Sequence, residues 1–324
     1  MMKSALAAIA LAALAASGVS AQQSAEPPAS PKWVTLGTNG GPLEIADRSE
    51  PANAILIGKE AYLVDVGDGA CEQLAKAKVS LGQVKAVFLS HLHFDHIGGL
   101  SALIGLRNQL LIPGVLTIYG PPGTKDLVDG LVAATEPSAH AAYGFAGRPF
   151  ADPASQVKVV ELVDDSSVDV GPMKVTARQN SHYSFAPGSE LDKRYKSLSY
   201  RFDTPERSIV YTGDTGPSRA VEELAAGADL LVSEMIDLDS ILSVFKRSGP
   251  PPPPPAQDMV GHLREHHITP DQVGEIAGEA KVHELVITHL VARSPSAADL
   301  MRYHSIIAKH YAGPVMIAND LDVF

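Results

Sequence analysis

The sequence predicts an α/β fold in which helices cover the faces of extended sheet. Two observations carry this. Short β-branched runs alternate with helical patterns along most of the chain, and 324 residues that are 45% apolar can bury a large core. A mean hydropathy of +0.05 with 19% charged residues excludes both a disordered chain and a polytopic membrane protein.

The elements follow in order. Residues 1–21 combine Lys3, an apolar Ala/Leu/Ile run and the small residues Val19-Ser20-Ala21. That is the layout of a secretory signal cut before Gln22. Its apolar run of roughly a dozen residues is too short to span a bilayer, and no cysteine follows it for lipid attachment. The mature protein is therefore expected in the periplasm or outside the cell, with no integral membrane segment after cleavage. Residues 22–32, rich in Ser, Ala and Pro, read as a flexible lead-in, and 33–324 as the folded domain. Within it, apolar β-branched runs predict strands at 54–57, 61–66, 85–89, 115–119, 157–162, 173–177, 197–202, 208–211, 229–233, 285–288 and 315–318. Helical periodicity predicts helices at 71–79, 97–106, 125–134, 218–225, 270–280 and 297–310. The clearest helix start is Thr269-Pro270-Asp271-Gln272, which supplies an N-cap, proline at the first helical position, an acid in the first turn and a capping-box glutamine. Two stretches break the rhythm. Residues 136–153 are Ala/Gly/Pro-rich and read as a loop over a pocket or an irregular surface connection. Six consecutive prolines, 250–255, read as a stiff spacer.

Composition also limits the chemistry. Cys71 is the only cysteine, which forbids an internal disulfide and any thiolate-rich zinc or iron–sulfur site. A bound metal must be held by histidine and carboxylate. The formal charge of −11, from 37 acidic and 26 basic residues, lacks the basic excess of a usual nucleic-acid binder and argues against such a partner.

The chemistry-bearing segment is Ser90-His91-Leu92-His93-Phe94-Asp95-His96-Ile97-Gly98-Gly99, between an apolar strand and a helix. Open α/β sheets place ligands at such strand ends. Three histidines and an aspartate within six positions point to metal ligation rather than packing. With His91 and His93 two apart, both imidazoles can face one ion, while Asp95 and His96 can turn to a second.

This run resembles the H-x-H-x-D-H signature of the metallo-β-lactamase superfamily, and matching residues follow in the expected order. Asp65, in Val64-Asp65-Val66-Gly67, resembles the aspartate that buttresses the metal loop. His182 matches the third histidine of the first metal site, Asp214 the bridging carboxylate and His289 the last ligand. The resemblance spans essentially the whole mature chain. It implies a four-layer αββα sandwich and two zinc ions, one held by His91, His93 and His182, the other by Asp95, His96 and His289, with Asp214 between them. Manganese or iron are alternatives for the same donors. A hydroxide between the ions is the implied nucleophile, with water's pKa lowered from about 15.7 to about 7, and Asp95 is placed to orient it.

The segments Ile118-Tyr119-Gly120-Pro121-Pro122-Gly123-Thr124, Tyr211-Thr212-Gly213-Asp214-Thr215-Gly216-Pro217 and Asp229-Leu230-Leu231-Val232-Ser233-Glu234, with His267-Ile268-Thr269, resemble the ribonuclease Z branch, which includes periplasmic-type arylsulfatases. There Glu234 and His267 correspond to a pair beside the metals. His267 would protonate the leaving oxygen or hold a non-bridging one, and Glu234 would fix its tautomer. A simply solvated His267 is the alternative. Phe94 stands where ribonuclease Z carries a small residue and makes the loop read like that of acyl-homoserine lactonases, and Met235-Ile236 replace Ala-Thr after Glu234.

The ligand set and the Glu234 and His267 pair that the resemblance implies, behind an export signal, set the expected function. It is a secreted binuclear zinc hydrolase cleaving small-molecule phosphodiester or aryl sulfate esters. Lactone or β-lactam hydrolysis is the alternative, and a non-catalytic zinc-binding scaffold a third reading. The expected partner is a small-molecule ester and not a nucleic acid. Loops 136–153 and 183–196 are expected to set substrate choice, with Tyr183, Arg194 and Tyr195 either touching substrate or simply exposed.

Overall fold

A computed structural model describes residues 30–145, 147–247 and 256–324. The expected signal 1–21, all but the end of the lead-in 22–32, the extracytoplasmic location inferred from them, and the prolines 250–255 lie outside the described residues.

The first half runs β1 (Lys32–Gly37), β2 (Ala52–Ile57), β3 (Glu60–Val66), α1 (Ala70–Lys76), β4 (Val84–Phe88), α2 (Phe94–Ile97), α3 (Leu100–Gln109), β5 (Leu116–Gly120), α4 (Thr124–Ala141) and β6 (Val157–Glu161). Its strands form one sheet in chain order, antiparallel across β1, β2 and β3 and parallel from β3 to β6. The second half runs β7 (Ser167–Val170), β8 (Met173–Gln179), α5 (Glu190–Arg194), β9 (Leu198–Asp203), β10 (Ser208–Tyr211), α6 (Arg219–Ala225), β11 (Leu230–Ile236), α7 (Leu238–Arg247), α8 (Ala256–Glu265), α9 (Pro270–Ala280), β12 (Glu284–Val291), α10 (Ala297–Ile307) and β13 (Val315–Ile317). Its sheet repeats the scheme, antiparallel from β7 to β10 and parallel from β10 to β13.

Strand alternation explains the layers. Tyr62 and Val64 of β3, Phe88 of β4, Tyr200 and Phe202 of β9 and Val232 of β11 point between the sheets and share one buried cluster. Leu63 and Val87, on the opposite face, meet Leu74 of α1, Leu100 and Leu103 of α3 and Val128 of α4. Leu231, Leu285 and Ile287 face Leu224 of α6, Val273 and Ile276 of α9 and Ile307 of α10. Three buried interfaces make four layers, the expected αββα sandwich. Burying each such side chain is worth about 1.5–3 kcal/mol. No helix among the described residues is long and apolar enough to cross a membrane.

The Thr269 helix start is as expected, with the Thr269 amide donating to Gln272 Oε1 at 2.9 Å. Other details differ from the expectations. The first residues of 136–153 belong to α4, which continues through Pro137 to Ala141. Of the described remainder, Arg148 and Ala151 lie against the far end of α3, where Arg148 Nη2 donates to the Gln109 carbonyl at 2.5 Å and Asn108 Nδ2 to the Ala151 carbonyl at 2.8 Å. It is a surface connection: α3 begins beside the metal loop, and ten helical residues carry its other end about 15 Å away.

Asp320 pins the β1–β2 loop to the C-terminal segment. It accepts from the Thr38 amide and hydroxyl at 3.0 and 2.7 Å, the Ser49 amide at 2.7 Å and Gln73 Nε2 at 2.9 Å. Asp320→Ala should lower stability by about 2–3 kcal/mol in equilibrium denaturant unfolding, because buried Thr38 loses a charged acceptor. A change below about 0.5 kcal/mol would show that the loop is held by other contacts.

Candidate metal centre

The predicted ligands come from both sheets and meet at the strand ends between them. After β4 the chain turns through Ser90 and His91, His93 precedes α2, and Asp95 and His96 lie within α2. His182 follows β8, Asp214 follows β10 and His289 lies in β12. All seven side chains converge. Donor atoms of His91, His93 and His182 lie within 4.8 Å of one another, as do those of Asp95, His96 and His289. Asp214 faces both groups. Its Oδ1 is 3.4 Å from His96 Nε2, while its Oδ2 is 3.3 Å from His289 Nε2 and 3.9 Å from His91 Nε2 and His182 Nε2. His182 Nε2 and His93 Nδ1 face each other at 3.1 Å.

Hydrogen bonds fix which nitrogen of His91, His96 and His182 points inward. His96 Nδ1 donates to Asp65 Oδ2 at 2.8 Å and His182 Nδ1 to the His266 carbonyl at 2.9 Å. His91 Nδ1 lies 3.0 Å from Ser90 Oγ, which itself donates to Asp65 Oδ2 at 2.7 Å. Each turns its Nε2 toward the centre. Burial, and then the neighbouring His96 and His93 imidazoles, hold His91 well below the ordinary histidine value. Burial does the same to His182, so both present neutral rings. Burial opposes the charge of Asp214, but His289 and His96 outweigh it and keep its carboxyl well below the usual range.

These residues fit a divalent cation. Among the described residues the buried His91 Nε2, His96 Nε2, His289 Nε2 and Asp214 Oδ1 have no hydrogen-bond partner, which is costly unless another group satisfies them. An all-nitrogen-and-oxygen donor set suits zinc and its first-row neighbours.

The backbone is shaped for this convergence. Asp65 and His289 adopt left-handed φ values of 57° and 38°, conformations that non-glycine residues hold only where surroundings impose them. Gly213, with φ +57°, lies where a Cβ would come within 2.9 Å of Ser90, so only glycine lets the Asp214 loop approach the metal loop. Asp65 is fully buried and accepts from the Ser90 amide at 2.7 Å and Tyr211 Oη at 2.8 Å besides Ser90 Oγ and His96. Asp65→Asn should therefore weaken metal affinity roughly 10–100-fold in competition with a chromogenic chelator. An unchanged affinity would deny Asp65 its supporting part.

Glu234 and His267 stand beside the cluster as a pair. His267 Nδ1 donates to Glu234 Oε2 at 2.6 Å, and Glu234 Oε1 accepts from the Thr215 amide. Both side chains are buried, so His267 is not simply solvated. Burial opposes protonation of His267, but Glu234 outweighs it and lifts the imidazole to about 9. Among the other expected contacts, Arg194 turns away to pair with Asp126 at 2.9 Å, whereas Tyr183 and Tyr195 line a cleft beside His93 and His182. Phe94 is 77% exposed. His262 of α8, which the sequence reading missed, joins His182 and His267 with donor atoms within 4.8 Å. The spacing His262, His266, His267 was the available signal, one helical turn and the next residue.

Comparison with known proteins follows from this geometry. A family profile described as "Beta-lactamase superfamily domain" matches residues 61–290. Ribonuclease Z of Mycobacterium bovis (strain BCG / Pasteur 1173P2) is 27% identical over 292 residues, covering 89% of this chain and 96% of that protein. Ribonuclease Z of Mycobacterium sp. (strain KMS) is 30% identical over 258 residues, covering 79% and 83%. The chain belongs to the beta-lactamase superfamily, in its ribonuclease Z branch. As a member of this superfamily it is a metal-dependent hydrolase. Among solved structures, the metallo-beta-lactamase fold protein YhfI from Bacillus subtilis superposes with a TM-score of 0.66 at 20% identity, over 92% of this chain and 99% of that one. The short form of human tRNase Z superposes with a TM-score of 0.59 at 22% identity, over 90% and 98%. Both share the fold.

The ribonuclease Z relatives overturn two expectations. A hydrolase of small-molecule phosphodiesters or sulfate esters, with lactones or β-lactams as the alternative, does not agree with relatives named for RNA. Nor does the expectation that nucleic acid is an unlikely partner. The error was to read the whole-chain charge of −11 as the potential at the site. Net charge sums the entire surface, whereas a substrate meets the local field, here that of a cation-binding centre.

Proposed function

We propose that this member of the ribonuclease Z branch is a zinc-dependent phosphodiesterase acting on RNA. His91, His93 and His182 would hold one ion, Asp95, His96 and His289 the other, with Asp214 shared. Bound there, the two cations would supply a nucleophile at neutral pH and Lewis acidity toward the phosphoryl oxygens.

The observation that carries the reading is the buried Glu234–His267 pair, joined at 2.6 Å beside the Asp214 and His289 side chains. Cleaving an RNA diester expels a ribose alkoxide, a poor leaving group that needs a proton as the bond breaks. His267 holds a proton on each nitrogen when charged, and Glu234 takes up Nδ1–H. Nε2–H is then free for the leaving oxygen. The Thr215 amide fixes Glu234 from behind. An aryl leaving group would not need this device, which is why the pair favours RNA over aryl esters. The mycobacterial ribonuclease Z relatives support the same substrate class.

The metal-loaded full chain should cut a transfer RNA carrying a 3′ extension, and chelation should lower the rate at least about 100-fold, with recovery on adding zinc. A protein that retains its metal but leaves the RNA intact would defeat the proposal.

A further inference from the structure

Beside the metal centre lies a cleft of about 360 Å³ whose lining is mostly rings. His93 and His182 form its floor, Tyr183, Phe185 and Tyr195 of the segment after β8 form one side, and His262 of α8 faces them. The rings touch in sequence. Tyr183 lies 5.2 Å from His93 and 5.2 Å from Phe185 between centroids, Phe185 lies 6.5 Å from Tyr195, and His262 lies 5.0 Å from His182. Tyr183 is held in place by the Leu92 amide, which donates to its hydroxyl at 3.2 Å. Among the described residues lining the cleft there is no lysine or arginine. The cationic side chains of the same segment are engaged elsewhere, Arg194 with Asp126 at 2.9 Å, Lys193 with Glu190 at 2.9 Å and Lys196 with Asp192 at 2.6 Å.

We infer that this cleft is a nucleobase subsite, in which the base next to the scissile phosphate stacks on Phe185 and Tyr195 while its phosphate reaches the metal centre across His93 and His182. The reasoning is chemical. A second phosphate or a sulfate would require cationic side chains, and the described residues of the lining offer no lysine or arginine. An extended aliphatic chain would not call for a row of rings. A flat, uncharged heterocycle matches both features, and stacking on aromatic side chains tolerates any base. The shared floor ties the subsite to the phosphate position, so the preference is for a nucleotide and not for a free base. This rests on the RNA reading above and adds to it the part of the substrate that the cleft holds.

Calorimetric titration of the metal-loaded full chain with uridine 5′-monophosphate and with ribose 5-phosphate separates the base from the sugar phosphate. The nucleotide should bind roughly 5- to 150-fold more tightly, the usual value of one stacked base. In the Phe185→Ala/Tyr195→Ala double variant the ratio should fall to about one, while Tyr195→Phe should retain it. Ribose 5-phosphate binding by each variant reports that the fold and the phosphate position persist. Equal affinity for the two probes in the unaltered protein, or a preference that survives the double substitution, would overturn the inference. Binding is read without turnover, so the two ideas fail separately. A nucleotide preference without cleavage of extended transfer RNA would defeat the RNA reading alone, and cleavage without the preference would defeat the subsite alone.

Discussion

Asp214→Asn should reduce phosphodiester hydrolysis by roughly 10³-fold or more and leave the protein with fewer bound ions than its parent. Asp214 is the side chain that faces both donor groups, with Oδ1 at 3.4 Å from His96 Nε2 and Oδ2 at 3.3 Å from His289 Nε2. Asparagine keeps the shape and removes the charge, so four imidazoles lose the carboxylate they surround. Metal stabilisation of transition-state charge is worth several kcal/mol, and each 1.36 kcal/mol is tenfold in rate. The fold should persist, because Asp214 lies on a loop and the sheets beneath it keep their packing. Kinetics with metal analysis on the same preparation checks both halves of the expectation. A variant with full metal content and a rate within tenfold of the parent would show that Asp214 does not join the two groups.

His267→Ala should cost 10²- to 10⁴-fold on RNA, the usual contribution of a positioned acid. With a p-nitrophenyl diester the loss should be at least tenfold smaller, since that leaving group departs without a proton. Glu234→Gln should fall between, because an amide still accepts from His267 Nδ1–H at one atom but no longer stabilises the charged imidazole. The informative quantity is the ratio between the two substrates. An equal loss on both would mean that His267 supports the structure of the centre and does not deliver a proton. Its burial beside His182, with ring centroids 5.0 Å apart, makes that outcome a meaningful alternative.

The local part of the site could be read directly from the chain. His91, His93, Asp95 and His96 lie within six positions after an apolar strand, and no tertiary knowledge is needed to see that they can share ions. Asp65, His182, Asp214 and His289 are each ordinary alone, and became readable only because their order resembles a known superfamily. The layers were not visible in the same way: β3 and β4 are near-continuous apolar runs buried on both faces, and the αββα arrangement was implied only by the superfamily resemblance. Two strands escaped: β1, whose Trp33 exchanges backbone hydrogen bonds with Phe324 at the other end of the chain, and β7, whose Ser167-Val168-Asp169-Val170 looks too polar for a strand but lies at a sheet edge. The short α2, which puts Asp95 and His96 on a helical turn where the sequence read a loop, the short α5, and α7 and α8 on either side of the proline run also escaped. His262 was lost with α8: its spacing from His266 and His267 was a signal for a shared helical face, but packing is what brings that face beside His182. The substrate was misjudged for a related reason. Composition averages over the surface, whereas recognition depends on which few groups the fold gathers at one place.

The central claim is that seven side chains from both sheets hold two cations. Crystals of the zinc-reconstituted protein, with data collected on either side of the zinc absorption edge, test it most directly. The expected map has two anomalous peaks, one among His91, His93 and His182 and one among Asp95, His96 and His289, both within reach of Asp214. A single peak, or peaks away from these residues, would contradict it.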